Sequence, residues 1–409
     1  MQAKRTFFAL IAVTALAACG SGGSDSRSAM GPVDPGPGEP TDPVDPPPSA
    51  PGETTDYVWD LPPGFPEPLV PEDNPMTVEG VELGRHLFYE RRLSENGTQS
   101  CGDCHEQALA FSDGRARSIG STGEETPRNS PSLTNVTYNP TLTWMNPLLN
   151  LLEDQVLGPL FDEDPVELGF SGREDELLAR LRGEALYQVL FGDAFPNDDD
   201  PVSLGNTTKA IASFERTLLS GNSPFDKFVY QGDDDAMSEA ARRGFDLFDS
   251  ETLECNHCHG GLNFASSLAH AGNPVDAAPF ENTGLYNLRE DGEYPYPNSG
   301  LFEFTQSVRD HGRMKPPTLR NIEVTGPYMH DGSIETLEDV MRHYERGGRL
   351  ISEGPLAGDG RINPNKSDFL TGFPLTNGQR ADVIEFFKSL TDHEFLNDPR
   401  FSNPFPDQE

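Results

Sequence analysis

The chain has 409 residues, with 67 acidic side chains against 30 basic ones, a formal charge of −37 and five cysteines. A field that negative excludes nucleic acid as a partner and favours basic or dipolar proteins. With 35% apolar residues there is enough to bury a core, and the roughly 350 residues left after the N-terminal segments suit two domains better than one.

Lys4 and Arg5 precede an apolar stretch, Phe7–Ala15, that is too short to span a bilayer as a mature helix. It ends in Leu16-Ala17-Ala18-Cys19, which resembles the lipobox of bacterial lipoproteins, where cleavage before the cysteine is followed by its lipidation. The expectation is a signal peptide over 1–18 and a lipid anchor at Cys19; the plainer alternative is a secretory signal with an incidental cysteine. No later segment is apolar enough to cross a membrane, so attachment is by lipid only, in the periplasm and at the envelope, with the outer membrane as the expected face. Residues 19–56 are rich in Pro, Gly, Ser and Asp and read as a semi-extended linker.

Val81–Tyr89 carries Leu83, Leu87 and Phe88 at helical spacing and leads to Cys101-Gly102-Asp103-Cys104-His105. This is C-x-x-C-H, the attachment signature of c-type haem. Two thiols one helical turn apart reach two vinyl groups of one porphyrin, and the adjacent histidine lies beneath the iron. Glu174–Phe191 reads as one helix through Leu177, Leu178, Leu181 and Leu190. Thr207–Leu219 reads as another, with Ile211, Phe214 and Leu218 on one face and Gly221-Asn222-Ser223-Pro224 as its stop. Asp233–Asp235 is an acidic turn and the expected boundary between an N-terminal domain, 57–235, and a C-terminal one, 236–395.

A second C-x-x-C-H, Cys255-Asn256-His257-Cys258-His259, follows about 150 residues after the first. Zinc-binding pairs sit roughly 15–20 residues apart, and a redox dithiol has no need of the histidine twice. Both motifs therefore read as haem sites, and with Cys19 they leave no cysteine for a disulfide. Gly84-Arg85-His86-Leu87-Phe88 is echoed by Gly244-Phe245-Asp246-Leu247-Phe248, the glycine preceding the first motif cysteine by 17 and 11 residues respectively. The repeat predicts a mainly α, loop-rich fold of two cytochrome-c-like haem domains related by internal duplication. Residues 270–315 read as loops. Leu337–Tyr344 and Thr376–Leu390 read as helices, the latter opened by a Thr376-x-x-Gln379 capping box, and 396–409 as a tail.

Further pieces occur in a fixed order: Glu82-Leu83-Gly84-Arg85-His86-Leu87-Phe88, Arg128-Asn129-Ser130-Pro131-Ser132-Leu133, Phe214-Glu215-Arg216-Thr217-Leu218 with Asn222-Ser223-Pro224-Phe225-Asp226, and Pro317-Thr318-Leu319-Arg320-Asn321 with Pro327-Tyr328-Met329-His330-Asp331-Gly332. Over nearly all of residues 79–391 the chain resembles the bacterial di-haem cytochrome c peroxidases and MauG. The resemblance implies two covalent haems, a peroxide-reacting one on His105 and an electron-storing one on His259. It also implies a distal pocket formed by Gln155, Pro159 and Glu167, with Trp144 between the haems as an electron relay. Glu167 would take and return a proton, Gln155 would hold the departing oxygen, and Pro159 would wall off a sixth ligand. The family spacing is longer here by one residue before Gln155 and by two before Glu167. On the residues alone, Glu167 also reads as a surface carboxylate and Trp144 as a core aromatic.

Respiratory members carry a capping histidine after the first motif, whereas Phe111–Thr126 contains none. The first haem is therefore expected to be five-coordinate or water-bound. The resemblance aligns Tyr344 as sixth ligand of the second haem, with Met341 and His343 as rivals and ordinary packing as the alternative. Asn129, with carbonyls near Lys315 and Pro317, matches a family calcium site. These features place the chain nearest the MauG and MbnH branches, which react with hydrogen peroxide and oxidise aromatic residues of a partner protein. The alternatives are a respiratory peroxidase fed by a small cytochrome or cupredoxin, and a non-catalytic di-haem electron carrier.

Overall fold

The computed structural model describes residues 52–274 and 278–405; the expected signal peptide, Cys19 and the linker as far as residue 51 lie outside the described residues. In chain order the helices are α1 (Val78–Phe88), α2 (Cys101–Cys104), α3 (Leu152–Gln155), α4 (Leu157–Phe161), α5 (Glu174–Arg182), α6 (Ala185–Ala194), α7 (Leu204–Arg216), α8 (Pro224–Tyr230), α9 (Glu239–Phe248), α10 (Cys255–His259), α11 (Phe302–Thr305), α12 (Leu337–Glu345) and α13 (Asn377–Lys388). The described strands are two-residue antiparallel pairs, β1 (Glu281–Asn282) with β2 (Arg313–Met314) and β3 (Leu350–Ile351) with β4 (Gly358–Asp359). The mainly helical, loop-rich expectation holds. No described helix is long and apolar enough to cross a membrane.

Two apolar clusters organise these elements. One gathers Leu83, Leu87 and Phe88 of α1 with Ile211 and Phe214 of α7 around the first motif. The other gathers Phe248 of α9 with Val383, Phe386 and Phe387 of α13 around the second. Each burial of a large apolar side chain is worth about 1.5–3 kcal/mol, so the clusters fix the helices that carry the motifs.

The same close helix crossing occurs in both clusters. A Cβ on Gly84 would lie 1.9 Å from the Ala210 carbonyl oxygen and 2.9 Å from Phe214 Cβ. A Cβ on Gly244 would lie 1.9 Å from the Asp382 carbonyl oxygen and 2.9 Å from Phe386 Cβ. The echoed glycines are thus the points where two backbones touch.

Three helix expectations need correction. The stretch 174–191 is two helices, because Gly183 ends α5 with its amide on the Ala179 carbonyl and α6 restarts at Ala185. The helix read as Thr207–Leu219 starts at Leu204, on a Ser203 cap, and ends at Arg216. Asn222-Ser223-Pro224 opens α8 rather than closing α7: Ser223 and Asp226 form a capping box with Pro224 in the first turn. The capping box at Thr376 and Gln379 is present as read. Phe395, Leu396 and Phe401, at and beyond the end of the expected C-terminal domain, pack into the first cluster.

The crossings yield a stability prediction. Gly84→Ala and Gly244→Ala should each destabilise the holoprotein by about 1–3 kcal/mol or more in denaturant unfolding. Gly205→Ala in α7, with nothing within 4 Å of the new methyl, should be neutral or stabilising by up to about 1 kcal/mol. Equal effects at all three positions would refute the close-crossing argument.

Candidate functional site

The first motif begins on a short capped helix. Ser100 and Asp103 form the box that starts α2, and Arg91 pairs with Asp103 at 2.8 Å. Cys101 and Cys104 are therefore one turn apart, and His105 follows at the helix end. His105 Nδ1 lies 2.8 Å from the Phe111 carbonyl. A carbonyl only accepts, so Nδ1 carries the proton and Nε2 keeps a free lone pair. Burial also lowers the His105 pKa and keeps the ring neutral. Ser130, whose hydroxyl donates to the Cys104 carbonyl at 2.8 Å, braces the same turn.

The cavity over this motif is lined by Cys104 and His105 together with Gln155, Pro159 and Glu167. The residues named from the resemblance for the distal pocket thus share one space with the motif. Gln155 and Pro159 come from α3 and α4. Glu167 is held by its backbone, whose carbonyl accepts from Ser121 N at 2.7 Å. Gly120 packs so closely there that a Cβ would lie 1.9 Å from the Val166 carbonyl oxygen. Desolvation, reinforced by Asp162 and opposed by Arg128, pushes the half-buried Glu167 carboxyl up to about 7. A carboxyl poised there exchanges a proton readily at neutral pH.

The second motif is α10. His259 Nδ1 lies 3.2 Å from both the Phe264 and Pro317 carbonyls, again leaving Nε2 free. A mainly apolar cavity opens over it. Cys255, Cys258, His259, Met341, Tyr344, Lys315 and His330 are among its lining residues. His343 is not, and its Nε2 meets the Thr283 carbonyl at 2.9 Å. Burial pushes the Tyr344 phenol above its ordinary value, so a phenolate there needs a cation beside it. Burial likewise pushes the Cys104 and Cys255 thiols up to about 12 and Cys258 up to about 11. The residues fit two c-type haems.

Trp144 lines both the first and the second cavity. Its indole Nε1 donates to the Asn129 carbonyl at 2.8 Å, and its own carbonyl accepts from Lys315 N at 2.7 Å. Asn129 donates its side-chain amide to the Arg115 carbonyl at 2.6 Å. Of the groups expected around calcium, the Pro317 carbonyl is turned to His259.

Two pocket residues escaped the sequence reading. Arg128, partly buried, donates to the Pro297 carbonyl at 3.0 Å and lowers the pKa of Glu167. Glu215 of α7 lines the first cavity beside Gln155 and Glu167, and burial pushes its carboxyl up to about 8 against the pull of Arg216. Both stand in the quoted motifs; the signal for Glu215 was an acidic residue directly after Phe214 on a helix that is apolar on that face.

A family description, di-haem cytochrome c peroxidase, matches residues 78–235. The methylamine utilization protein MauG of Methylorubrum extorquens is 31% identical over 325 residues, 78% of this chain and 80% of that one. The chain belongs to the di-haem cytochrome c peroxidase and MauG family. The cytochrome-c peroxidase IdrP1 of Denitromonas iodatirespirans is 32% identical over 354 residues, 82% of this chain and 88% of that one. A crystal structure of a MauG-like protein associated with microbial copper homeostasis is 47% identical, covers 85% of this chain and 99% of that one, and superposes with a TM-score of 0.83. Membership makes the chain a haem oxidoreductase and implies two c-type haems, and each motif cavity offers two cysteine thiols and a histidine Nε2 that fit one. Intact mass and haem staining should therefore show two covalent haems per chain, and one in Cys255→Ala; a single haem in the unmutated protein would contradict the assignment.

Proposed function

We propose that this chain is a periplasmic, MauG-like di-haem enzyme that reacts with hydrogen peroxide at the first motif and withdraws electrons from a partner protein through both haem sites. The placement of Trp144 on both cavities carries the proposal. The 47% identical MauG-like structure supports the same branch, and its association with copper homeostasis directs the search for the partner toward copper-handling proteins. The recurring glycine crossing supports two duplicated haem units, one either side of the turn at 233–235. Cys19 lipidation belongs to the same proposal, as does a calcium ion at Asn129 with the Lys315 carbonyl.

When bound, the haems supply the iron that takes peroxide and the electrons that reduce it. With a haem in place, Glu167 would take a proton from incoming peroxide and return it to the departing oxygen, and Gln155 would donate a hydrogen bond to that oxygen. Arg128, close enough to lower the Glu167 pKa, keeps part of that carboxyl ionised near neutral pH. Pro159 offers the cavity no ligand atom. Trp144, fixed at its indole nitrogen and its carbonyl, gives the aromatic connection between the two spaces. Tyr344 would hold the second haem's iron through its oxygen, and as a phenolate there it would favour the oxidised state.

A second reading, a respiratory peroxidase fed by a small cytochrome or cupredoxin, is favoured by Met341, which lines the second cavity as Tyr344 does. The two differ in what starts the reaction. With no histidine in 111–126 to displace, the fully oxidised protein should react with peroxide in stopped-flow mixing without prior half-reduction. Tyr344→Met should leave the second haem six-coordinate but raise its reduction potential. Glu167→Gln should slow the peroxide step by about 10²–10⁴-fold. Because Glu167 must be ionised to accept the proton, the wild-type rate should fall as pH drops through about 7. A protein inert until one electron is added is the respiratory outcome.

A further inference from the structure

The first cavity holds a carboxyl group that the functions above do not use. Glu215 is 5% exposed and its Oε2 is buried without a hydrogen-bond partner. Its neighbour on α7 does not satisfy it: Arg216 Nη2 is 2.8 Å from Glu153 Oε2 on α3. Glu153 Oε1 in turn takes Asn74 Nδ2 at 2.6 Å. Arg216 Nη1, like Glu215 Oε2, is buried without a hydrogen-bond partner, so the one guanidinium bonds Glu153 and leaves Glu215 as the second, unbonded acid beside it. The ionisable groups around it are Arg216 on its own helix, Glu153 on α3, Cys101 on α2 and Glu167 across the cavity.

An unpaired carboxylate in such a place costs several kcal/mol, and protonation removes the cost. The acid form then has an O–H to donate and no protein acceptor for Oε2 to give it to. What the side chain does adjoin is the cavity shared by His105, Gln155 and Glu167. Two carboxyls in one cavity with different surroundings are the usual arrangement for opposite protonic roles.

We propose that Glu215 is a second carboxyl group of the peroxide pocket, held as the acid, whose O–H donates to the anionic oxygen of a ligand bound in the cavity while Glu167 acts as the base. The inference rests on the peroxide reading of the first site. Glu215 keeps its proton throughout, so no atom or electron is transferred by it. Its effect is a fixed donor aimed at developing negative charge. Ionisation of Glu215 removes the donor and adds a second negative charge to the pocket, so the peroxide rate should fall again as pH rises through about 8. Together with the Glu167 limb this gives a narrow bell.

Two variants of the di-haem holoprotein test the assignment. Glu215→Gln preserves a neutral donor of the same size but cannot ionise; its alkaline limb should disappear while the acid limb stays where it was. Glu215→Leu removes the donor, and the oxidised protein should bind fluoride about 10–100-fold more weakly, the usual worth of a hydrogen bond to a charged group. The fluoride titration needs no turnover. If wild-type protein binds fluoride but never reacts with peroxide, the peroxide reading fails while the fluoride comparison still tests the donor. An alkaline limb unchanged in Glu215→Gln, or fluoride affinity unchanged in a Glu215→Leu protein with both haems, overturns the role given to Glu215.

Discussion

The arrangement depends on how Trp144 is held. Its indole donates to the Asn129 carbonyl at 2.8 Å, its carbonyl accepts from Lys315 N at 2.7 Å, and Asn129 N reaches the His330 carbonyl at 2.9 Å. These bonds tie the segment after the first motif to two segments that wall the second. The ring therefore borders both cavities without being free to turn into either. Removing the indole nitrogen would leave a carbonyl acceptor unmet in a partly buried place, a cost of about 1–3 kcal/mol, and would loosen the joint.

Around that joint each histidine is fixed in the same way. His105 and His259 both present Nδ1 to a backbone carbonyl in the loop after their motif, Phe111 and Phe264, and His259 also to that of Pro317. On the second side the Thr318–Arg320 segment is locked in turn by Arg320. This fully buried guanidinium pairs with Asp226 at 2.9 Å and donates to the Leu262 carbonyl at 2.7 Å. A buried pair of this kind is weak evidence for stability but costly to break on one side. Here it sets the loop that carries an acceptor for His259, so α8 and the second motif are held by one contact.

The motif residues and the helices around them were legible because haem attachment dictates spacing and the glycine crossings dictate an echo. The distal residues came from resemblance, not from periodicity. Glu167 sits in an acidic loop, and nothing local distinguishes it from Asp162 or Glu163. What sets it apart is long-range: the Gly120–Ser121 segment, some 45 residues earlier, grips its backbone. The break at Gly183 was hidden by leucines that continue the helical period across it, and only the switch of buried face from Leu177 and Leu181 to Tyr187 and Phe191 shows two helices. Glu215 left one local signal, its place directly after Phe214 on an apolar helix face, but that its carboxyl goes unpaired is long-range, because α3 supplies the Glu153 that Arg216 meets.

The central claim is that the two haem sites act as one oxidising unit through Trp144. It is tested most directly by near-infrared and EPR spectra of fully oxidised wild-type and Trp144→Phe protein, each taken before and after one equivalent of peroxide. The account predicts the same resting spectra in both, one high-spin and one low-spin site, and a peroxide-induced change at the low-spin site in the wild type that is lost or strongly slowed in Trp144→Phe. An equally fast change at the low-spin site in the variant would contradict it.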